Sequence, residues 1–431
     1  MDYIPILVLV ISFIGLLSIG TPVAWSISIS SVLTMLVSIP AMPAFTTVSQ
    51  RMGTGLDSFA LLAIPFFILS GQLMNKGGIA HRLIAFAKTL VGALPGGLAL
   101  INVIGAMLMG AIAGSAMASA SAMGSILGPE MEKEGYSKEF GAAVNITSAT
   151  TGLIIPPSNV LIVYSLASGG VSIAALFLAG YIPGILTGLF LMLVASFWAK
   201  KKKYKLGKRS SLKEVFKTFV DALPSLFLLV IVIGGIVTGI FTATEASAIA
   251  VLYTLILGFA YKEINIKSLP EILLDSSATT AVVMLLIGAS MSMSWVMSYE
   301  NIPQNISSTL LAISDNPVVI LLIINLILLF VGIFMDMTPA VLIFTPIFLP
   351  VVTGLGMDPV QFGIIMVLNL CIGLCTPPVG SVLFVGVGVA QTTIQKVMKP
   401  LLPLFLAMIV ALFLVTYFPQ LTLWLPKIFG L

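Results

Sequence analysis

The side chains able to do chemistry in this sequence are almost all neutral oxygens, and they gather around two Pro-Pro pairs. "GLIIPPSN" at 152–159 and "GLCTPPVG" at 373–380 each interrupt a long apolar segment. Asn145, Thr147, Ser148, Thr150 and Thr151 precede the first pair, and Ser158 and Asn159 follow it. Asn369, Thr376 and Ser381 flank the second. A stretch rich in small residues stands upstream of each, one carrying Ser115, Ser119 and Ser121, the other Asp336, Thr338 and Thr345. Hydroxyl, amide and carbonyl oxygens are the ligands of hard alkali cations. Neutral oxygens suit Na+ better than a proton relay, which needs a chain of intramembrane carboxylates or histidines. Asp336 and Glu245 are the acidic residues expected at membrane depth, which leaves a proton role open. Helix packing is the plain alternative for the three serines, because Gly114, Ala118 and Ala122 form a small-xxx-small series.

Other chemistries have no support. The only Gly-Lys, at 207–208, has Lys202 where a nucleotide-binding loop needs its first glycine. HExxH and GxSxG are absent, as is an embedded Ser/His or Asp dyad, which argues against an intramembrane enzyme. Cys371 and Cys375, four apart, have no His or third thiol nearby and read as small apolar side chains on one helix face. His81, the only histidine, falls in a short amphipathic stretch at 76–92 that suits an interface.

The elements that must position these residues are membrane helices. Hydrophobic residues make up 59% of the 431 and charged ones 8%, against about 25% charged in a soluble domain. Mean hydropathy is +1.16. Apolar runs of about 20 residues, enough for a bilayer core of about 30 Å, recur from end to end. The first run, from Tyr3 to Ile19, lacks a basic leader and a small-residue cleavage site, so a retained span is expected. Crossings are expected at 3–19, 21–40, 57–75, 139–168 and 172–199, and again at 222–241, 243–261, 276–298, 360–389 and 400–418. The stretches 96–129 and 317–352 are broken by Gly, Ser, Thr, Met and Pro and read as re-entrant hairpins. Residues 43–55 are expected to lie flat on the outer face. Asp57 and Asp275 are expected as helix N-caps, and the four tryptophans, Trp198 and Trp295 among them, as interface anchors.

Charge tests this layout. The run Lys200, Lys201, Lys202, Lys203, Lys205, Lys208 and Arg209 belongs in the cytoplasm. Threading from there puts Lys76, Arg82, Lys88, Lys133, Lys138, Lys213, Lys217, Lys262, Lys267, Lys396 and Lys399 on the same side. Arg51 and Lys427 fall outside, and the N-terminus is periplasmic. Lipid headgroups are a weaker reading of the lysine run.

The halves also resemble each other. "EFGAAVNITSATTGLIIPPSNVLIV" (139–163) aligns with "QFGIIMVLNLCIGLCTPPVGSVLFV" (361–385), and a broken hairpin precedes each. Five crossings per half is odd, so the second copy is inverted. The chain then divides into a first repeat at 1–199, a basic linker at 200–220 and a second repeat at 221–431. Each repeat has scaffold helices (1–75 and 222–298), a hairpin (96–134 and 317–352), a broken helix (139–168 and 360–389) and a closing helix (172–199 and 400–418). In lipid a helix breaks only where protein or a water-filled cavity satisfies the freed backbone. Paired broken helices are where secondary transporters bind ions and solute. The fold class expected is an all-α polytopic membrane protein of inverted-repeat type, an arrangement that favours alternating access. It would have about 10–12 transmembrane helices and two re-entrant hairpins.

"GSAMASASAMG" (114–124) resembles the signature of the large membrane subunit of tripartite ATP-independent periplasmic (TRAP) transporters, through Gly114, Ser115, Ala118, Ala122 and Gly124. "PPS" at 156–158 and "TPPVG" at 376–380 are similar to further motifs of that family, and the similarity runs over the whole chain. The resemblance implies an elevator mechanism, a small four-helix membrane subunit and a periplasmic substrate-binding protein as partners. It also implies import of an organic acid, of the C4-dicarboxylate or sialic acid class, on a Na+ gradient across the bacterial inner membrane. One Na+ site would use Ser115, Asn145, Gly152, Pro156 and Ser158, and a second Asp336, Thr338, Gly373, Thr376 and Val379, largely through carbonyls. The anion would lie between the hairpin tips, near Ser119, Thr147, Ser148, Asn159 and Ser381. No arginine stands at that depth, so half-helix N-termini and hydroxyls would hold its carboxylate. A stand-alone cation-coupled anion transporter and a non-transporting membrane scaffold are the alternatives.

Overall fold

The structure, a computed structural model, describes residues 4–205, 207, 210–314 and 316–431. Tyr3, Lys208 and Arg209 lie outside the described residues. Every regular element among the described residues is helical. The chain opens with α1 (Ile4–Ser18), α2 (Val23–Ser38) and α3 (Ala41–Thr54), then a 3-10 turn (Phe59–Leu62) leading into α4 (Ala63–Lys76) and α5 (Ile79–Val91). α6 (Gly97–Ala113) and α7 (Ala116–Lys133) form the first hairpin, and α8 (Lys138–Thr151) and α9 (Asn159–Ala167) the first broken helix. α10 (Ile173–Lys202) closes the first half. The second half runs through α11 (Leu212–Val237), α12 (Ala243–Ala260), α13 (Leu269–Tyr299) and the short α14 (Ile302–Ile313). α15 (Pro317–Phe334) and α16 (Met337–Gly354) form the second hairpin, followed by the broken pair α17 (Pro359–Gly373) and α18 (Ser381–Val389). α19 (Ile394–Tyr417) and α20 (Gln420–Ile428) end the chain.

Among the described residues, 8 helices are long and apolar enough to cross a membrane. They include both arms of the second hairpin, while α1, α2, α6 and α17 are apolar but shorter. Each expected crossing has its counterpart in a helix or a broken pair. The boundaries moved where capping chemistry decides them. α11 starts at Leu212 rather than 222, because the Ser211 hydroxyl accepts the Glu214 N–H at 3.2 Å. Most of the expected 200–220 linker is therefore helix. α13 starts at Leu269 with proline in its first turn, which places Asp275 inside the helix rather than at its cap. Asp57 is likewise no cap: it precedes the 3-10 turn, whose N-cap is Ser58. Glu245 has a local structural role. It is exposed and closes a capping box, its carboxylate accepting the Thr242 N–H at 2.8 Å and hydroxyl at 2.9 Å.

Burial shows what the halves enclose. Almost every residue of α8 from Phe140 onward and of α17 from Gln361 onward is buried, an all-round burial that suits helices surrounded by protein. The two cross-connect: the Cys371 thiol donates to the Thr150 carbonyl at 3.1 Å, and the Cys375 thiol to the Ile146 carbonyl at 3.4 Å. Cys371 lies on α17 and Cys375 just past its end in the break, so they do not share one helix face, yet both lie against the other broken helix. A second polar set ties α15, α17 and α19. Asn369 Nδ2 donates to Asn325 Oδ1 at 2.7 Å, and Asn325 Nδ2 to Thr416 Oγ1 at 3.2 Å, all three residues being buried.

Around this centre pack α6, α7 and α19 on α8, and α15 and α16 on α17. A second group joins α2 and α3 to α13, α4 to α12, and α5 to α11. The outer group meets the hairpins through α4 and α5, which touch α6, and through α13, which touches α16. Lys76 at the end of α4 reaches Glu271 at 2.8 Å and Asp275 at 3.5 Å on α13 and fastens the two together. α5 is amphipathic as expected, with Ile79, Leu83, Ile84 and Ala87 buried and His81 exposed. α3 buries Ala44 and Val48 against Met35 and Val296, and its Arg51 lies over the Trp295 ring at 5.0 Å.

The hairpins enter from opposite ends of the bundle. Gly97 at the start of α6 and Glu130 near the end of α7 line one cavity with Lys88, Lys205 and Glu214. Val389 and Gln391, just before α19, share another with Lys133 and Lys138. Near the far end of α19 the Tyr417 hydroxyl donates to the carbonyl of Val318, where α15 begins.

Candidate functional site

The first break is assembled from the backbone outward. After Gly152 the chain tightens into i→i+3 bonds, Leu153 N–H to Thr150 O at 3.1 Å and Ile155 N–H to Gly152 O at 3.2 Å. Pro156 and Pro157 then remove two donors, and the Ser158 hydroxyl donates to the Leu153 carbonyl at 2.6 Å across the gap. The second break repeats the device with other atoms. The Thr376 hydroxyl donates to the Ile372 carbonyl at 2.7 Å, the Leu383 N–H to Leu374 O at 3.3 Å and the Gly380 N–H to Ile333 O at 3.0 Å. That last bond ties the break to the neighbouring hairpin arm. Ser381 leaves its buried hydroxyl without a partner among the described residues.

Glycine pairs let each hairpin lie directly on its break. A Cβ on Gly152 would stand 2.6 Å from Gly110 Cα, and one on Gly373 would stand 2.5 Å from Gly332 Cα. At the first tip, Gly114 holds φ +61°, and a Cβ there would meet Asn159 Nδ2 at 2.5 Å. Ser115 follows as the N-cap of α7, its hydroxyl accepting the Ala118 N–H at 3.3 Å. At the second tip Asp336 is the N-cap of α16, exposed and with no side-chain cap bond.

Both tips and the first break face one cavity of about 240 Å³. Ser115, Asn159 and Thr338 line it from the hairpin side, and Gln72, Asn75 and Thr279 from α4 and α13. Its described lining carries no charged side chain. The structure therefore brings together Ser115, Thr338 and Asn159, which the sequence assigned to three different ligand sets. Gly152, Pro156 and Ser158 lie at the first break and Gly373, Thr376 and Val379 at the second, and none of the six lines this cavity. Asn145 lies apart. Its Nδ2 donates to Ala120 O at 2.6 Å, its Oδ1 is buried without a partner among the described residues, and it lines a separate cavity with Gly124, Lys138 and Gln391. Ser119, Thr147 and Ser148 are fully buried and donate to carbonyls, Ser119 to Ala106 at 3.2 Å, Thr147 to Ala143 at 2.9 Å and Ser148 to Val144 at 2.6 Å. Gln72, Asn75 and Thr279 escaped the sequence reading. The signal available was "GQLMNK" at 71–76, two amides three apart near the end of an apolar run.

An all-helical bundle with helices long and apolar enough to cross a membrane, two hairpins and two broken helices has the architecture of a polytopic membrane protein. The fold agrees with a solved one: the Alcanivorax borkumensis YdaH transporter superposes with a TM-score of 0.65 over 87% of this chain and 88% of that one, at 14% identity. The sequence match is closer still. Residues 10–421 match the DctM component of the tripartite ATP-independent periplasmic transporters, and the chain belongs to that family. It is 57% identical to the Salmonella typhimurium protein YgiK over 100% of this chain and 99% of that protein. It is 39% identical to the Vibrio cholerae sialic acid TRAP transporter large permease protein SiaM over 97% of this chain and 98% of that protein. The protein is thus the large, multi-pass inner-membrane subunit of a TRAP transporter, a transport component rather than an enzyme.

Proposed function

We propose that the chain carries an organic acid anion across the inner membrane by Na+-coupled alternating access of elevator type. The two hairpins and two broken helices move as one body past the group built on α4 and α13. The observation that carries this reading is the uncharged cavity between the tips and α4/α13. The hydroxyls of Ser115, Thr279 and Thr338 and the amides of Gln72, Asn75 and Asn159 line it beside isoleucines and valines, and such neutral oxygens suit Na+. With no basic residue among its described lining, the charge of a bound carboxylate needs compensation from half-helix N-termini and from the coupling cation. Binding anion and cation together follows from that need, and it is the physical root of coupling.

The anion is of the sialic acid or C4-dicarboxylate class, in line with the named permease relative and with the family motifs at 114–124, 156–158 and 376–380. A periplasmic binding protein delivers it, and a small four-helix membrane subunit holds the α4/α13 group still. The repeated hairpin-and-break order supports two inverted repeats, 1–199 and 221–431. The clustered lysines put the Lys88–Lys205 face in the cytoplasm and the N-terminus in the periplasm. The Na+ sites take Ser115, Gly152, Pro156 and Ser158 on one side, and Asp336, Thr338, Gly373, Thr376 and Val379 on the other. Asn145, held by the Ala120 carbonyl in a separate cavity, is left out of the first site.

Ser115→Ala and Thr376→Ala test this assignment. Each is expected to raise the Na+ concentration for half-maximal uptake by about tenfold, equivalent to ~1.4 kcal/mol. Ser18→Ala, on the exposed end of α1, is expected to leave it unchanged. An unaltered Na+ dependence in both site variants would remove these residues from the coupling sites.

A further inference from the structure

Asn75 belongs to two cavities at once. It lines the uncharged central cavity with Gln72, Ser115 and Asn159, and it lines a second cavity, about 560 Å³, with Lys76, His81, Arg82, Asp221 and Glu263. Gln72 and Asn75 stand three apart on α4, hence on one helix face. Neither side-chain amide hydrogen-bonds to another described residue, although their neighbours are firmly held. Lys76 is bound to Glu271 at 2.8 Å. Arg82 stacks on the Tyr261 ring at 3.6 Å and donates to the Gly78 carbonyl at 2.9 Å. The wall around Asn75 is thus fastened, and the amide at the junction is free.

We propose that Asn75 is the gate between the central cavity and the charged vestibule. Small organic anions would leave the carrier through it toward the face bearing Lys76 and Arg82. The inference rests on reading the central cavity as the solute site. A gate here controls the rate of exchange and the size of what passes, and an amide suits that place. It can donate to a passing carboxylate without adding a charge that would trap it. The cations of the vestibule are balanced by acids, Lys76 by Glu271 and Asp275 and Arg82 by Asp221 and Glu263 in the same lining, which keeps them from acting as an anion sink.

The test reads access rather than uptake, so it stands apart from the transport reading. Ser115→Cys, in the full chain within its complex in inside-out membrane vesicles, is labelled with a negatively charged, membrane-impermeant methanethiosulfonate. Background is low because Cys371 and Cys375 are fully buried. Labelling is expected to proceed from this side and to slow at least tenfold when Asn75→Trp is added, with Asn75→Leu, as a smaller plug, slowing it less. Asn75→Ala is expected to keep or raise the rate. Asn75 is exposed, and a single monodisperse peak on size exclusion confirms that each variant folds. An unchanged labelling rate with Asn75→Trp, or labelling from the opposite membrane face alone, would overturn the gate. If the parent chain takes up no organic acid while the labelling pattern holds, the transport reading fails and the gate between cavities stands.

Discussion

Gly152→Ala is expected to reduce Na+-driven uptake to below a tenth of the parent rate, although it adds one methyl group. At the end of an ordinary helix the same change would be neutral or stabilising, since alanine loses less backbone entropy than glycine on folding. Here the new Cβ would stand 2.6 Å from Gly110 Cα, 2.7 Å from the Met107 carbonyl oxygen and 2.8 Å from the Ala106 carbonyl oxygen. All three are backbone atoms, so no side chain can swing aside, and the hairpin arm must move off the break. Overpacking of this kind costs about 1–3 kcal/mol, and the displacement acts directly on the atoms assigned to the first Na+ site. Gly373→Ala is expected to behave alike against Gly332, whose Cα and carbonyl carbon would both lie 2.5 Å away. Gly128→Ala and Gly388→Ala, with nothing within 4 Å of the added atom, are the matched controls and should transport normally. The readout is uptake per folded molecule, with size exclusion to separate misfolding from lost function. Parent-like uptake by Gly152→Ala would mean that the close approach of hairpin and break has no part in transport.

Asp336→Asn carries the second large effect. Asp336 is the acidic residue of the second hairpin tip, at the N-cap of α16, and its carboxylate makes no capping bond. Removing its charge therefore sacrifices little folding energy. It does take a full negative charge from the position assigned to the second cation site, and the Na+ requirement is expected to rise by at least tenfold. Glu245→Gln provides the contrast. That carboxylate is exposed and closes the capping box of α12, a place glutamine also fills, so its replacement should leave the helix start and the Na+ dependence nearly unchanged. Measuring uptake against Na+ concentration for the pair separates a cation ligand from a structural carboxylate. Equal responses from the two variants would contradict the assignment of Asp336.

The contrast between these two residues shows what the sequence could reveal. Both read as acidic residues in apolar company. Glu245 was legible as a cap only with hindsight of the Thr-x-x-Glu spacing at 242–245, because the apolar run on either side obscured the helix start. The breaks themselves were plain: Pro-Pro pairs preceded by glycine leave few other local conformations, and the helices end at Thr151 and Gly373. The hairpins were legible from their broken composition, the first carrying Gly114-Ser115 at its tip and the second Asp336. Asp57 and Asp275 are not N-caps, because the proline at 270 sets the start of α13 upstream and Ser58 caps the 3-10 turn. α14 and α20 passed unseen, each being a short helix recognisable mainly by what it packs against. The ligand sets were divided by order along the chain, and contact does not follow that order: Thr338 faces Ser115, while Asn145 faces Gln391. Gly110 and Gly332, the partners of the glycines at the breaks, carry no local signal at all. Their need for hydrogen in place of a side chain arises only when a hairpin arm lies on a broken helix.

Uptake into proteoliposomes tests the central claim most directly. The chain is reconstituted with its small membrane subunit and given radiolabelled N-acetylneuraminate or succinate, with and without the soluble binding protein, under an inward Na+ gradient. The account predicts accumulation that requires both Na+ and the binding protein, and that collapses when the Na+ gradient is dissipated. Accumulation that proceeds equally without Na+ would contradict it, because the uncharged cavity would then be holding an anion with no cation to balance it.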